Sequence, residues 1–107
     1  MTDDARPAIH DNVAAHRFEM IVDRHAAVAT YSMAGNVITF IHTVVPEALR
    51  GRGIARELVV FALASARERG LKVIPQCEVF EAYMRKNPST HDLLADPALF
   101  DRPRQSD

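Results

Sequence analysis

One short segment combines glycines with arginines at the start of a helical pattern: Arg50, Gly51, Arg52, Gly53, Ile54, Ala55 and Arg56. The first N–H groups of a helix lack intrahelical partners and lie at the positive end of its macrodipole, so a phosphate can accept several hydrogen bonds there. Glycine allows a close backbone approach and positive φ, and arginine adds charge and bidentate contacts. The segment therefore predicts a phosphate-binding turn.

Two widespread phosphate loops fit this segment poorly. It lacks the Gly-Lys-Ser/Thr ending of a P-loop, and it lacks the third glycine or alanine and the later acidic residue of a dinucleotide fingerprint. It does match the pattern Arg/Gln-x-x-Gly-x-Gly/Ala, with Arg50, Gly53 and Ala55 at the fixed positions. Taken alone, such a short pattern is also compatible with a solvated turn.

In this form the segment resembles the acetyl-coenzyme A pyrophosphate loop of the GNAT superfamily of N-acetyltransferases. The resemblance covers about residues 8–94. It includes residues 42–46 before the loop, the end of the following helix at 66–70, a strand at 71–77 that carries a Pro-x-Cys at Pro75 and Cys77, and residues 83–88. These stretches look like the small single-domain branch of the superfamily. The resemblance implies a GNAT-like fold, acetyl-coenzyme A as cofactor and an amine as acyl acceptor of undefined identity.

Length and composition are those of one ordinary globular domain. The chain has 107 residues, of which 48% are hydrophobic and 25% charged, with a net charge of −1. That charge argues against nonspecific nucleic-acid binding, which needs a basic surface. The sequence shows no signal peptide or membrane span, and its single cysteine suits a reducing compartment. We therefore expect a cytoplasmic protein without a metal site, either a monomer or a weak homodimer.

Alternating apolar and polar residues predict three strands in an antiparallel meander, at residues 17–23, 26–33 and 37–45. Apolar residues three and four apart then predict an amphipathic helix over residues 53–69, ended by Gly70. A short strand at 71–75 follows directly. A strand, helix and strand in this order imply parallel pairing and a right-handed crossover.

A second helix is predicted at residues 79–87, ending before Pro88, and a short last turn follows near residues 89–94. The expected fold is thus α+β or α/β, with a domain at residues 8–100 and polar tails at 1–7 and 101–107. The sheet and first helix should share a core of apolar residues: Phe18, Met20, Leu58, Phe61, Ala62, Val73 and Ile74.

The resemblance also implies where the chemistry would occur. In the superfamily the pantetheine arm lies between two parallel strands where they splay apart, here residues 41–45 and 71–77. A main-chain N–H near Val44 or Val45 would then stabilise the developing oxyanion. Lys86 is a further candidate contact for a cofactor phosphate, although an exposed helical lysine needs no such role.

Cys77 would fall at the mouth of that splay, near the thioester. A thiolate there can accept the acetyl group in a ping-pong reaction. The alternative is a cysteine that only lines the site, since buried cysteine often acts as a small hydrophobe and the neighbouring Glu78 opposes thiolate formation. A redox-sensitive thiol is the third interpretation.

Two further side chains are candidates for proton transfer. His42, on the strand entering the loop, could act as a general base near neutral pH, or simply pack on a sheet face. Larger superfamily members place a proton-donating tyrosine on the second helix, and alignment on Lys86 puts Met84 at that place. Tyr83 is adjacent but rotated by about 100° around the helix. It is therefore a candidate acid only if the alignment slips by one residue.

Three functional classes remain open at this point. The first is an acetyl-coenzyme A dependent N-acetyltransferase with an open acceptor site, because the chain lacks the final β-hairpin of larger members. The second is a noncatalytic acyl-coenzyme A binding or sensor module. The third is an interaction domain whose arginine turn binds another phosphate group.

Overall fold

The computed structural model describes residues 9–101, so the predicted N-terminal tail at 1–7 and all but the first residue of the predicted C-terminal tail at 101–107 lie outside the described residues. Five strands form one sheet in sequence order: β1 (Ile9–Asn12), β2 (Arg17–Val22), β3 (His25–Ala34), β4 (Val37–Val44) and β5 (Lys72–Pro75). The first four pair antiparallel, and β5 pairs parallel to β4. This confirms the predicted meander and parallel strand, and it adds β1 as a fourth antiparallel strand.

Two helices complete the domain, α1 (Ile54–Glu68) and α2 (Glu78–Lys86), each within one residue of its predicted bounds. Gly70, with φ of 69°, ends α1 as predicted. Its N–H donates to the carbonyl of Arg67 at 3.2 Å, while the Leu71 N–H donates to that of Ala66 at 2.9 Å. This Schellman arrangement satisfies the last carbonyls of the helix and sends the chain straight into β5. The predicted last turn is a 3-10 helix, Pro88–Leu93.

Both helices cover the same face of the sheet. Phe80 of α2 stacks on Phe40 of β4 with ring centroids 4.0 Å apart, and Phe61 of α1 meets Phe18 of β2 edge-on at 6.0 Å. The Phe18 and Phe40 rings are themselves neighbours, 6.3 Å apart, so they lie on one face. The core predicted from the sequence is confirmed for most of its members, which are almost completely buried: Phe18, Met20, Leu58, Ala62 and Val73.

Two of the predicted core residues are wrong, since Phe61 is 40% exposed and Ile74 is 43% exposed. Phe61 lies at the border of the apolar stripe of α1, where one edge of its ring reaches Phe18 and the rest meets solvent. Ile74 alternates with Val73 and Pro75, which are both buried on the helix side, and so it points to the opposite face.

Strand β1 is held by polar contacts rather than by an apolar face. Glu19 of β2 is only 8% exposed because it accepts hydrogen bonds from Arg17 at 2.6 Å and Asn12 at 3.0 Å, and His10 lies 3.1 Å from its other oxygen. The Arg17 bond, followed by that of Asn12, holds the pKa of Glu19 below its usual range. A strand with one apolar residue in four gives no hydrophobic alternation, which explains why the sequence did not predict it.

An irregularity in β4 controls the shape of the sheet near α1. Thr30 of β3 pairs with His42, but the next residue, Tyr31, pairs with Phe40, so Ile41 is an extra residue in β4. Such a β-bulge bends the strand and increases its local twist. Pairing between β4 and β5 ends at Phe40 and Pro75, whereas β4 continues to Val44. The two parallel strands therefore diverge immediately after the bulge.

Candidate functional site

The turn before α1 has the conformation that its glycines permit. Gly51 and Gly53 have φ of 83° and 75°, in the left-handed region that favours glycine. Gly53 is the N-cap of α1 and its carbonyl accepts a hydrogen bond from the Glu57 N–H at 3.1 Å. Within the described chain no side chain caps this helix, and the space that a Cβ on Gly53 would occupy is open. The first N–H groups of α1 are thus accessible to a ligand.

The three arginines around this turn are exposed, and each has a different neighbour. The Nε of Arg50 donates to the carbonyl of Val45 at 3.3 Å. The Nη1 of Arg52 lies 3.0 Å from an Asp23 carboxylate oxygen in the turn between β2 and β3. The guanidinium carbon of Arg56 lies 5.7 Å from the centre of the Tyr83 ring on α2. The turn is therefore ringed by positive charges whose contacts are all on the protein surface.

A cavity of about 370 Å³ lies where β4 and β5 diverge, and we call it the gap. One wall consists of residues from the end of β4, namely Ile41, His42 and Thr43. The other wall consists of the connection from β5 into α2, namely Gln76, Cys77, Glu78 and Val79. The gap follows from the divergence of the strands after the bulge.

Cys77 is fixed in the gap through both its backbone and its side chain. Its N–H donates to the Phe40 carbonyl at 2.8 Å, which prolongs the sheet by one hydrogen bond, and it is the N-cap of α2. The sulfur lies 3.3 Å from the Thr43 hydroxyl oxygen, and the residue is 6% exposed. Thr43 is thus a residue of the gap that the sequence did not predict.

His42 lines the same gap but belongs to the opposite face of the sheet from Thr43, because adjacent strand residues alternate. Its side chain is exposed, and its carbonyl accepts a hydrogen bond from Thr30 Oγ1 at 3.4 Å. Further along β4, Val44 is 55% exposed, while Val45 packs partly against the core. The structure thus brings Cys77 and His42 to one gap, at the end of the strand that leads to the glycine turn.

The two remaining candidates lie on α2, away from the walls of the gap. Tyr83 is half-buried in a groove against the α1 residues Val60, Leu63 and Ala64. Lys86 is exposed in the last turn of α2. Met84, which the alignment places at the tyrosine position of larger superfamily members, is completely buried. That position is therefore part of the hydrophobic core here.

Two general properties of the described residues bear on possible ligands. Neither of their helices has the length and hydrophobicity that a membrane crossing requires. Residues 9–101 also hold no group of three or more His, Cys, Asp or Glu side chains arranged to bind a metal ion.

Related proteins share both sequence and fold with this chain. "Protein NATD1" from chicken, mouse and human is 40% identical to it over 63 residues, which cover 58% of this chain and 56 to 57% of each relative. The match therefore spans little more than half of the length of these relatives. The NMR solution structure of a GCN5-like protein from Staphylococcus aureus has a TM-score of 0.66 and 26% sequence identity, covering 85% of this chain and 90% of that one.

The sequence profile of the GCN5-related N-acetyl-transferase family matches residues 17–93. This range includes the glycine turn, both walls of the gap and the two helices. The sheet of antiparallel strands with a parallel β4–β5 pair agrees with the GCN5-like structure. The chain therefore belongs to the GCN5-related N-acetyltransferase family.

Proposed function

We propose that this protein is an acetyl-coenzyme A dependent N-acetyltransferase that transfers an acetyl group to an amine of a protein, peptide or small molecule. The observation that carries the proposal is the gap beside the end of β4, the strand from which the chain leads, through residues 45–49, to the glycine turn and the uncapped N-terminus of α1. A phosphate site and a slot between strands, connected by one short stretch of chain, suit a long cofactor with a charged end and a reactive end.

The charged end would bind at the glycine turn. Gly51 and Gly53 let the backbone approach the pyrophosphate, and the N–H groups of Ile54, Ala55 and Arg56 would donate to its oxygens. The open space above Gly53 supports this role, since a side chain there would occupy the approach. Arg50 and Arg52 would add charge-assisted contacts. Lys86 is a further candidate at the end of α2, as the sequence predicted.

The reactive end would lie in the gap. Among the described residues, β4 has no partner strand on the β5 side beyond the bulge, so an extended arm could pair with its backbone as an added strand does. The acetyl group would then approach Cys77, and a main-chain N–H near Val44 or Val45 would stabilise the oxyanion. This assignment follows the sequence-based hypothesis, and it is supported by the contact of Cys77 with Thr43 near the end of β4, just before Val44 and Val45.

In the transfer itself, the amine nitrogen forms a bond to the acetyl carbon while the carbon–sulfur bond breaks, and coenzyme A leaves as a thiolate that takes up a proton from water. The amine must be neutral when it attacks, and it loses a proton during the transfer. His42, exposed in the wall of the gap, is the candidate base, acting directly or through water. Since positioning and an oxyanion donor suffice for this attack, we favour direct transfer with Cys77 as a lining residue.

Two measurements separate this function from the alternatives. Isothermal titration with coenzyme A tests binding, and mass spectrometry of candidate amines incubated with acetyl-coenzyme A tests transfer. We expect both to be positive, and Arg52→Ala should lower the affinity by about 1.5 to 3 kcal/mol if Arg52 bonds a charged phosphate. Binding without transfer would favour a noncatalytic acyl-coenzyme A module, and no binding would favour an interaction domain.

The role of Cys77 has its own test. After incubation with acetyl-coenzyme A in the absence of amine, we expect an unmodified intact mass, and Cys77→Ala should keep most of the transfer rate. An acetyl group on Cys77 that a later amine removes at the turnover rate would show a ping-pong reaction instead. The cytoplasmic location and the monomeric or weakly dimeric state stay predictions.

A further inference from the structure

We propose that Tyr83 is a positioning residue of the cofactor phosphate site, where its ring holds the Arg56 guanidinium at the start of α1, and that it is not the proton donor. This inference rests on the proposed function, because it assigns Arg56 to the phosphates of coenzyme A. It concerns Tyr83 of α2, which the family resemblance makes a candidate for a catalytic role. The reassignment depends on where the ring lies and what it contacts.

The ring of Tyr83 lies beside α1, below Arg56. Tyr83 packs partly against the core and lines a groove together with Val60, Leu63 and Ala64, and Val60 follows Arg56 by four residues on the same face of the helix. The guanidinium carbon of Arg56 lies over the ring, 5.7 Å from its centre. The partly buried ring therefore offers its face to the charge at the start of α1.

The position of Arg56 in α1 is electrostatically unfavourable for a cation, so a contact that stabilises its charge is useful. Arg56 occupies the first turn of α1, where the helix dipole disfavours a cation. Glu57 in the same turn offsets part of this repulsion, and the negative face of an aromatic ring attracts a guanidinium. A guanidinium that stacks on a ring keeps its N–H groups in the plane of the group, free to bind a phosphate. The ring can therefore hold Arg56 near the anion site without competing for its donors.

The direction of the side chain, rather than the distance along α2, argues against a role in proton transfer. The tyrosine of larger superfamily members corresponds to Met84, the next residue of α2, and Tyr83 is rotated from that position by about 100° around the helix. The walls of the gap are formed by residues 41–43 and 76–79, whereas Tyr83 lines the groove beside α1. A hydroxyl in that groove is not placed to protonate a thiolate leaving the gap.

The experiment measures coenzyme A affinity by isothermal titration for the wild type, Tyr83→Phe, Tyr83→Leu, Arg56→Gln and the double variant Tyr83→Leu/Arg56→Gln. Tyr83→Phe keeps the ring, so we expect a Kd within twofold of the wild type. Tyr83→Leu should raise the Kd about two- to fivefold, the range for an exposed cation–π contact. In the Arg56→Gln background the same change should have no further effect, since the charge that the ring holds is gone.

The rate of coenzyme A release from acetyl-coenzyme A, with a simple primary amine as acceptor, supplies the second readout. Tyr83→Phe should keep the wild-type kcat, and Tyr83→Leu should change KM for acetyl-coenzyme A while kcat stays the same. Circular dichroism and thermal melting check that every variant is folded. A tenfold loss of kcat in Tyr83→Phe at unchanged Kd would overturn the inference in favour of a proton donor.

The binding data also separate this inference from the function on which it rests. If the wild type binds coenzyme A and Tyr83→Leu binds it equally well, the inference alone is wrong. The same holds if Tyr83→Leu weakens binding as much with Arg56→Gln as without it, because the ring would then act through general packing. A wild type that does not bind coenzyme A would overturn the proposed function, and this inference with it.

Discussion

The glycine turn and the gap are the two parts of the proposed cofactor site, yet the chain builds them in different ways. The turn is made by consecutive residues, 50–56, that are mostly exposed and depend on two positive φ angles. The gap is made by residues more than thirty positions apart, which meet because β4 and β5 pair and then diverge. A local sequence can specify the first directly, whereas the second exists only once the core has assembled.

An aromatic contact in the core is formed by the chain neighbours of two gap residues. Phe40, the last β4 residue paired with β5, is fully buried and stacks on Phe80 of α2, and its carbonyl accepts the Cys77 N–H. One residue thus connects the strand pairing, the packing of α2 and the backbone of Cys77. If the gap depends on the core and the turn on its local sequence, mutations in this core should lower the free energy of unfolding. Mutations in the glycine turn should instead lower the affinity for coenzyme A.

The largest expected effect is therefore on stability, in Phe40→Ala. Removing a fully buried aromatic side chain costs about 3 to 5 kcal/mol, a large part of the stability of so small a domain. Urea denaturation followed by circular dichroism measures the loss. Ile74→Ala, on the neighbouring strand but 43% exposed, is the control and should cost less than about 1 kcal/mol. Equal losses in the two variants would mean that Phe40 is not central to the core.

The same difference explains what the sequence could predict. The turn and the bounds of both helices followed from local signals, since glycines, arginines and the spacing of Leu58 and Ala62 act within a few residues. The meander followed from alternation in β2 to β4. Strand β1 was missed because polar contacts to Glu19, rather than apolar alternation, hold it in the sheet.

Thr43 shows why the gap could be predicted only in outline. The resemblance pointed to Cys77 and His42, and the structure brings both to the gap. Strict alternation from Phe40 would point His42 towards the helices and Thr43 away from them. The extra residue Ile41 reverses that phase, so Thr43 faces Cys77 and His42 faces outward. A bulge depends on the partner strand, and no local pattern in β4 predicts it.

The second prediction tests the turn with a matched pair of glycines. Gly53 and Gly35 both have positive φ and open space where a Cβ would lie, but Gly35 sits in the hairpin between β3 and β4. Substitution by valine should lower the free energy of unfolding of each variant by about 1 to 2 kcal/mol, because a β-branched side chain is strained in the left-handed backbone conformation. Only Gly53→Val should also abolish detectable coenzyme A binding, as measured by isothermal titration.

Both valine variants should lose the same stability through backbone strain, so a loss of coenzyme A binding in Gly53→Val alone must come from obstruction of the phosphate. A folded Gly53→Val protein with wild-type affinity would contradict the proposed phosphate site. An equal loss of binding in Gly35→Val would show that strain, rather than the position of the turn, limits binding. Either result would also contradict the view that the glycine turn serves binding while the gap depends on the packing of the core.

The smallest effect concerns an ion pair that anchors the 3-10 helix after α2 to α1. Arg67 donates to both oxygens of Asp92, at 2.7 and 3.1 Å, and to the Ser89 carbonyl at 3.1 Å. The hydrogen bonds from Arg67 hold the pKa of Asp92 below its usual value. The same bonds raise the pKa of Arg67.

Because the pKa of Asp92 is lower in the folded state, the pair stabilises the protein above the ordinary aspartate pKa of about 3.9. This contribution is lost as the pH falls through the lower folded-state value. Asp92→Asn should therefore lower the urea midpoint slightly at pH 7, and the difference from the wild type should shrink as the pH is lowered from 5 towards 3. The effect is small because both side chains are at least half exposed.

The matched control is Asp23→Asn, in the turn between β2 and β3. Asp23 accepts a single hydrogen bond, from Arg52 of the glycine turn, so the urea midpoint of this variant at pH 7 should change less. A difference between Asp92→Asn and the wild type that stays constant from pH 7 to pH 3 would show that the carboxylate charge does not anchor this segment.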